Sequence, residues 1–269
     1  MVATDKQFVG SIPEIYDRFL VPLIFEPYAA ELAGRVAALA PGELLETATG
    51  TGVLTRALAE RLSPSAHIIA TDLNQPMLDQ AAKRQQGGPV EWKQADALEL
   101  PFGDRSFDVV ACQFGVMFFP DKVRGYREAR RLLRPGGRFL FNAWDRIADN
   151  EFADAVTAAL AGVFPDDPPR FMARTPHGYC DVGRIREELR AAGFAEVAIE
   201  TVDATSRAAS ARHAAVAFCQ GTPLRNEIEA RDAGRLEEAT ARSADALAGR
   251  FGTGAIEGRL RALVVSAAG

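Results

Sequence analysis

The stretch Glu46-Thr-Ala-Thr-Gly50-Thr-Gly52-Val-Leu-Thr55 closes a short apolar run that starts at Glu43 and passes at once into a helical pattern, Thr51–Leu62. A strand that runs through a Gly-x-Gly turn into a helix is the building unit of a doubly wound sheet. Ligands in such sheets bind outside the carboxyl ends of the strands. Glycine there lets the backbone approach a bound molecule and take conformations closed to other residues. Alone, the turn also suits any tight strand-to-helix connection.

Outward from that turn the alternation continues. Apolar runs at His67–Thr71, Val90–Lys93, Phe107–Gln113 and Arg138–Asn142 are separated by helical windows at Pro76–Arg84 and Asp121–Leu133. Such alternation predicts βαβ units and a mainly parallel sheet with helices on both faces. Before it, AAELAGRVAALA (29–40) predicts an amphipathic helix ending at Pro41-Gly42. The aromatic segment 16–28 predicts two short helices broken at Pro22 and Pro27. After it, Asn150–Phe164, Val182–Ala192 (capped by Asp181), Ala208–Gln220, Pro223–Arg231 and Arg235–Arg250 read as helices. Phe194–Val202 and Arg259–Ser266 read as the remaining strands.

The chain has 269 residues, 48% hydrophobic and 25% charged, enough apolar content for a sizeable core in one elaborated α/β domain. Within that domain, 1–40 is expected to be a helical lid, 41–145 the ligand-binding core, and 146–269 the acceptor-side cover with the final strands. A net charge of −5 gives no general pull toward nucleic acid or anionic lipid. The densest basic stretch, Arg124–Arg138, reads as a solvated helix face. Cys112, Cys180 and Cys219 are widely spaced, so neither a disulfide framework nor a metal site is expected. No signal-like or bilayer-spanning apolar stretch is evident, and a cytoplasmic location follows as the expectation.

Two acids sharpen the glycine turn. Asp72 ends the second strand, where a carboxylate suits the two hydroxyls of a ribose, and Asp96 follows the third, where it can meet an adenine edge. Acids in successive matching positions point to one adenosyl ligand. Leu44-Leu-Glu46…Gly50-Thr-Gly52, Ala70-Thr-Asp72-Leu-Asn-Gln-Pro-Met77, Asp96-Ala97…Leu100-Pro101-Phe102, Phe107-Asp108-Val109-Val110 and Arg131-Leu-Leu-Arg134-Pro-Gly-Gly occur in order. In this the chain resembles the class I S-adenosylmethionine-dependent methyltransferases, in particular the small-molecule branch with the ubiquinone/menaquinone-type C-methyltransferases.

The resemblance implies a Rossmann-like, doubly wound, seven-stranded α/β fold with a helical N-terminal lid and a helical insertion before the last strand. It implies S-adenosylmethionine as cofactor, S-adenosylhomocysteine as product, and in-line methyl transfer to a small, apolar or aromatic acceptor. Carried over by position, Glu46 serves the methionine ammonium, and Gly50 and Gly52 the close backbone approach. Asp72 serves the ribose, Leu73 the adenine face, Asp96 and Ala97 the adenine edge. Gln113 offers its backbone carbonyl to the ammonium, and Tyr16 closes over the methionine end. The family has glycine where this chain has Ala48, a change that costs little if φ there is negative.

On the acceptor side, Phe114, Met117, Phe118, Phe119 and Trp144 are candidate walls. His177 and Tyr179 are the catalytic candidates, His177 as the one plausible histidine base, and neither is assigned as a catalytic base. The acceptor's identity, the methylated element and the oligomeric state, with a homodimer as one option, stay open. A nicotinamide-dependent oxidoreductase would need a third glycine where Thr55 stands. A protein that binds the cofactor without turnover is the other alternative.

Overall fold

A computed structural model describes residues 3–8, 10–86, 88 and 90–269. The first two residues of the expected lid, and Val9, lie outside them. Seven strands form one sheet in the order β3-β2-β1-β4-β5-β7-β6: β1 (Glu43–Thr47), β2 (His67–Asp72), β3 (Val90–Gln94), β4 (Phe107–Gln113), β5 (Leu133–Trp144), β6 (Glu196–Ala208) and β7 (Ile256–Ala268). The pairs β1–β2, β1–β4, β2–β3 and β4–β5 are parallel, and β7 runs antiparallel to β5. The order reverses between β1 and β4, which makes the carboxyl ends of those two strands the switch point where a crevice opens.

The main helices are α1 (Glu26–Ala37), α2 (Val53–Arg61), α3 (Gln75–Arg84), α4 (Lys122–Leu132), α5 (Glu151–Val163), α6 (Val182–Ala191), α7 (Ala211–Gln220), α8 (Leu224–Arg231) and α9 (Leu236–Phe251). The chain groups into two compact units. One contains Tyr28–Trp144, Tyr179–Val202 and Ala262–Gly269 and carries the sheet. The other contains the residues up to Pro27, Asp145–Gly178 and Asp203–Arg261 and is mostly helical.

In the sheet unit, Leu44, Val109, Ala111, Leu140 and Val264 form a buried layer with Ala29, Leu32 and Val36 of α1 and Leu54 and Leu58 of α2. Each fully buried Leu or Val there contributes about 1.5–3 kcal/mol of transfer free energy. Asp181 caps α6 by accepting from the Arg184 backbone N–H at 3.0 Å, as its position predicts. Tyr28 is fully buried and its hydroxyl donates to the Val202 carbonyl at 3.0 Å, which ties α1 to β6.

Two expectations fail. The segment 16–25 is one π-helical stretch containing Pro22, not two helices broken there. Pro22 has no N–H to donate, and the wider-turned stretch closes with the Glu26 N–H donating to the Val21 carbonyl, an i→i−5 bond that spans the proline. The last two strands are also longer than their apolar runs. In β6 buried and exposed positions alternate weakly, so polar residues such as Thr201, Asp203 and Thr205 continue the strand.

In the helical unit, Asp5 is completely buried, accepting from the Arg174 guanidinium and from Thr175 Oγ1 (2.6 Å), while Glu227 accepts from Arg174 at 2.6 Å. Among the described residues no helix is long and apolar enough to cross a membrane. None of them forms a cluster of metal-ligating side chains either.

Candidate functional site

Strand β1 ends in Thr47, and the turn 48–52 then folds back over its own carboxyl end. The Thr49 N–H donates to the Thr71 carbonyl at 3.0 Å and the Gly50 N–H to Asp72 Oδ2 at 2.9 Å. Asp72 Oδ1 accepts from the Asn74 N–H at 2.8 Å, so one carboxylate holds the turns after β1 and β2 together. Burial pushes the Asp72 carboxyl up, and the N–H donors of Asn74 and Gly50 pull it back down. The loops after β2 and β3 join in turn: Ala95 N–H donates to the Asp72 carbonyl at 3.0 Å, and Gln94 Nε2 to the Leu73 carbonyl at 2.9 Å. Leu73 stays 43% exposed, an apolar side chain left uncovered at the crevice. Asp96 is exposed and starts a tight turn, its Oδ1 accepting from the Leu98 N–H at 2.9 Å.

Gly52 has φ of +77°, and a Cβ there would stand 3.1 Å from both Ala81 Cβ and Trp92 Cη2. Only glycine fits, by conformation and by space. Thr55, at the position of the missing third glycine, is buried and donates to Glu46 Oε2 at 2.6 Å; its oxygen also lies 2.6 Å from Thr49 Oγ1. Its role was not legible beyond its not being glycine. Glu46 is fully buried, and its Oε1 has no hydrogen-bond partner among the described residues. Burial pushes its carboxyl from 4.5 up to about 7, against the pull of the Thr55 and Thr49 hydroxyls and of the Arg56 charge.

Ala48 departs from expectation: its φ is +52°, in the left-handed region. Phe114, directly after β4, shares that conformation at +51°. Two non-glycine residues therefore carry backbone strain, roughly 1–2 kcal/mol each, at the ends of the two strands that flank the switch point. The two loops abut. A Cβ on Gly115, whose own φ of −101° would accept one, would run into Ala48 Cβ and stand 2.7 Å from Cys112 Sγ.

Ala48→Gly is accordingly expected to stabilise the protein by up to about 1 kcal/mol, strain relief exceeding the added freedom of the unfolded chain. Gly115→Ala should destabilise it by about 1–3 kcal/mol. In urea unfolding the double variant should recover part of that loss; strictly additive effects would show that the two loops do not press on each other.

Parallel register extends the site sideways. Glu46 is in register with Ala111, and Gln113, two residues further along β4, with Asn142 on β5. By strand alternation Glu46, Gln113 and Asn142 lie on one face, just beyond the apolar layer of Leu44, Ala111 and Leu140. Gln113 is 9% exposed; Asn142 is fully buried, and neither atom of its amide has a partner among the described residues. Sequence reading missed Asn142, although it is the polar residue within Phe139-Leu-Phe-Asn142-Ala-Trp144. Next to it Phe114 stacks on Trp144 (centroids 3.8 Å, planes 9° apart), with Tyr28 edge-on at 5.4 and 5.5 Å.

The structure thus brings Glu46, Gly50, Gly52, Asp72, Leu73, Asp96, Ala97 and Gln113 to the carboxyl ends of the adjacent strands β3, β2, β1 and β4. Tyr16 belongs to the helical unit, where it packs against Phe25 at 5.2 Å and Phe8 at 5.9 Å. His177 is in that unit too. It is buried, its Nδ1 lies 2.8 Å from the Asp145 carbonyl, and burial pushes it down to about 4, so the ring is neutral near pH 7. Tyr179 belongs to the sheet unit and is buried. Its hydroxyl donates to Glu188 Oε2 at 2.5 Å and lies 2.9 Å from the Tyr126 hydroxyl; burial pushes it far above the ordinary phenol range. Burial likewise pushes the Cys112 thiol up to about 12, which leaves no thiolate nucleophile there.

Comparison with known proteins agrees with this geometry. A family profile described as "Methyltransferase domain" matches residues 45–141. The chain is 33% identical over 168 residues to a demethylmenaquinone methyltransferase of Lactobacillus johnsonii, covering 58% of this chain and 68% of that one. It is 29% identical over 201 residues to a ubiquinone/menaquinone biosynthesis C-methyltransferase of Stutzerimonas stutzeri, covering 70% and 74%. Among solved structures, an S-adenosylmethionine-dependent methyltransferase from Aquifex aeolicus aligns over 71% of this chain and 90% of its own, with 16% identity and a TM-score of 0.50. A (4+2)-cyclase aligns over 90% and 81%, with 21% identity and a TM-score of 0.56. At those identities the solved structures establish the fold alone, and the cyclase shows that the fold does not dictate the reaction.

Proposed function

The chain belongs to the class I S-adenosylmethionine-dependent methyltransferases, and from that premise we propose that its switch-point crevice holds the cofactor and presents its methyl group to a small hydroxylated aromatic acceptor. The observation that carries the cofactor assignment is Glu46 Oε1, a buried oxygen without a partner beside the glycine turn. A cationic ammonium group is a partner that suits such an oxygen, since a charge-assisted hydrogen bond offsets its burial.

Bound S-adenosylmethionine supplies a methyl group on a sulfonium, transferable in line to a nucleophile. The chain's part is to hold and orient. Glu46, with the Gln113 carbonyl, would take the ammonium; Asp72 the ribose hydroxyls through its remaining lone pairs; Leu73 the adenine face; Asp96 and Ala97 the adenine edge. Tyr16 is kept as a residue of the methionine end. We assign no base role to His177, held near 4, or to Tyr179, engaged by Glu188 and Tyr126. The glycine pattern of a nicotinamide enzyme is replaced by the Thr55–Glu46 bond, and that reading is set aside with the family assignment.

For the acceptor, the names of the two relatives point to demethylmenaquinone and to C-methylation in ubiquinone/menaquinone biosynthesis, and the Phe114–Trp144 stack supports a planar, apolar partner. We place Asn142 as the group that orients an acceptor hydroxyl. A buried amide without partners costs about 1–3 kcal/mol. Asn142→Leu is therefore expected to raise stability by about that amount while lowering kcat at least about tenfold, with cofactor affinity kept. If stability and turnover move together, the assignment fails.

The direct assay supplies labelled methyl donor and a prenylated dihydroxynaphthalene. The reduced ring should be methylated and the oxidised quinone not, since the ring carbon needs electron donation from a hydroxyl. Formation of S-adenosylhomocysteine only with acceptors lacking an aromatic ring would overturn the acceptor class. No turnover with any acceptor would favour the binding-only reading. That residues 1–269 serve one catalytic domain, with 1–40 as lid and 146–269 as cover, belongs to the same proposal. So do a cytoplasmic location, the absence of a nucleic-acid partner, and a homodimer.

A further inference from the structure

At the end of the sheet opposite the glycine turn, within the same unit, a cleft of about 620 Å³ is lined by Arg105, Arg127, Arg130, Arg131 and Arg134, with Asp104 and the last residue of the sequence, Gly269, also among its walls. So dense a cationic lining is unexpected in a chain of net charge −5. Two of the five are neutralised. Arg131 donates to Glu128, to Asp104 and to the carbonyls of Leu100 and Phe102, a clamp that fixes the loop before β4. Arg134 pairs with Asp108 at 2.8 Å.

The other three form no ion pair with an Asp or Glu among the described residues, although the last residue of the sequence, Gly269, packs beside Arg130, where a Cβ on it would stand 3.3 Å from Nε. Arg127 donates only to the Ala191 carbonyl, at 3.3 Å. Arg130, one turn further along α4, lies over the end of α6, where a Cβ on Gly193 would stand 3.0 Å from its Nε. The carbonyl end of α6 favours cations and accounts for part of this placement. It does not account for Arg105, an exposed arginine held at φ of +55° on the same cleft.

We propose that this cleft is a binding site for a small anion carrying two or more phosphoryl groups, such as inorganic pyrophosphate or the polyphosphate of a nucleotide. Guanidinium forks match phosphoryl oxygens in bidentate fashion, and three uncompensated forks exceed what a single phosphate neutralises. The volume lies in the range of small-molecule sites. A nucleic-acid polymer is disfavoured, because the rest of the acidic surface would repel it. The site is independent of the methyl-transfer reading.

Calorimetric titration of the full chain with inorganic pyrophosphate tests it, with ADP as a second ligand to separate free polyphosphate from nucleotide. Saturable binding is expected, weakened at least about tenfold in Arg127→Glu/Arg130→Glu and only partly in Arg127→Lys/Arg130→Lys, with S-adenosylhomocysteine affinity unchanged. Should the charge-reversed variant not fold, Arg105→Gly, which also relieves the left-handed φ, is expected to weaken binding at least about threefold. Three results would overturn the proposal: no saturable binding of either ligand, binding that the substitutions leave intact, or binding of heparin and poly-uridylate alone.

Discussion

Asp72→Ala is expected to lower affinity for S-adenosylhomocysteine at least about 100-fold, near 3 kcal/mol, the scale of charge-assisted hydrogen bonds to a ribose diol. The carboxylate has two tasks that this variant removes together. It accepts from the Gly50 and Asn74 backbone N–H groups at 2.9 and 2.8 Å, which sets the turns after β1 and β2, and in the proposed complex it would also accept from the ribose hydroxyls. Asp72→Asn keeps one acceptor oxygen for the turns and should lose less. Calorimetry on the folded variants separates binding from stability. An affinity within about threefold of the wild type would remove Asp72 from the ribose assignment.

The second large effect is electrostatic and depends on pH. In the free protein burial holds the Glu46 carboxyl near 7, above its ordinary 4.5. Because the folded state then binds the extra proton, the group contributes no penalty below the unfolded value. Its cost to stability grows as pH rises from about 4.5 and is complete above about 7. A bound ammonium reverses the balance by favouring the ionised form, so binding expels the proton. Affinity for S-adenosylhomocysteine is therefore expected to rise with pH up to about 7, by as much as about tenfold per unit, and then level off. Glu46→Gln should flatten that profile and weaken binding at neutral pH by about 2–5 kcal/mol, the cost of leaving one charge of a buried pair alone. A wild-type profile already flat between pH 5.5 and 7.5 would contradict the ammonium role.

Much of this arrangement is visible in the order of residues alone. Strand β1, the Gly50–Gly52 turn and the acids Asp72 and Asp96 are local features, and a parallel sheet brings strand ends together whatever their separation in the chain. What escaped is non-local or conformational. Ala48 adopts φ of +52° because Thr49 and Gly50 are pinned to β2 by hydrogen bonds, a constraint that outweighs alanine's own preference. Asn142 reads as an ordinary strand residue until register sets it beside Gln113 on the face of Glu46. Thr55 is identifiable as not glycine, but its bond to Glu46 depends on how the first turn of α2 sits over β1. The proline-containing stretch 16–25 misled for the opposite reason, since a helix breaker in an α-helix is tolerated in a π-helical turn.

The most direct measurement is a crystal structure of the chain with S-adenosylhomocysteine. The ribose hydroxyls are expected on Asp72, the adenine against Leu73, and the ammonium group on Glu46 Oε1, which has no hydrogen-bond partner among the described residues. A ligand bound elsewhere, or one seated in the crevice with its ammonium group turned away from Glu46, would contradict it.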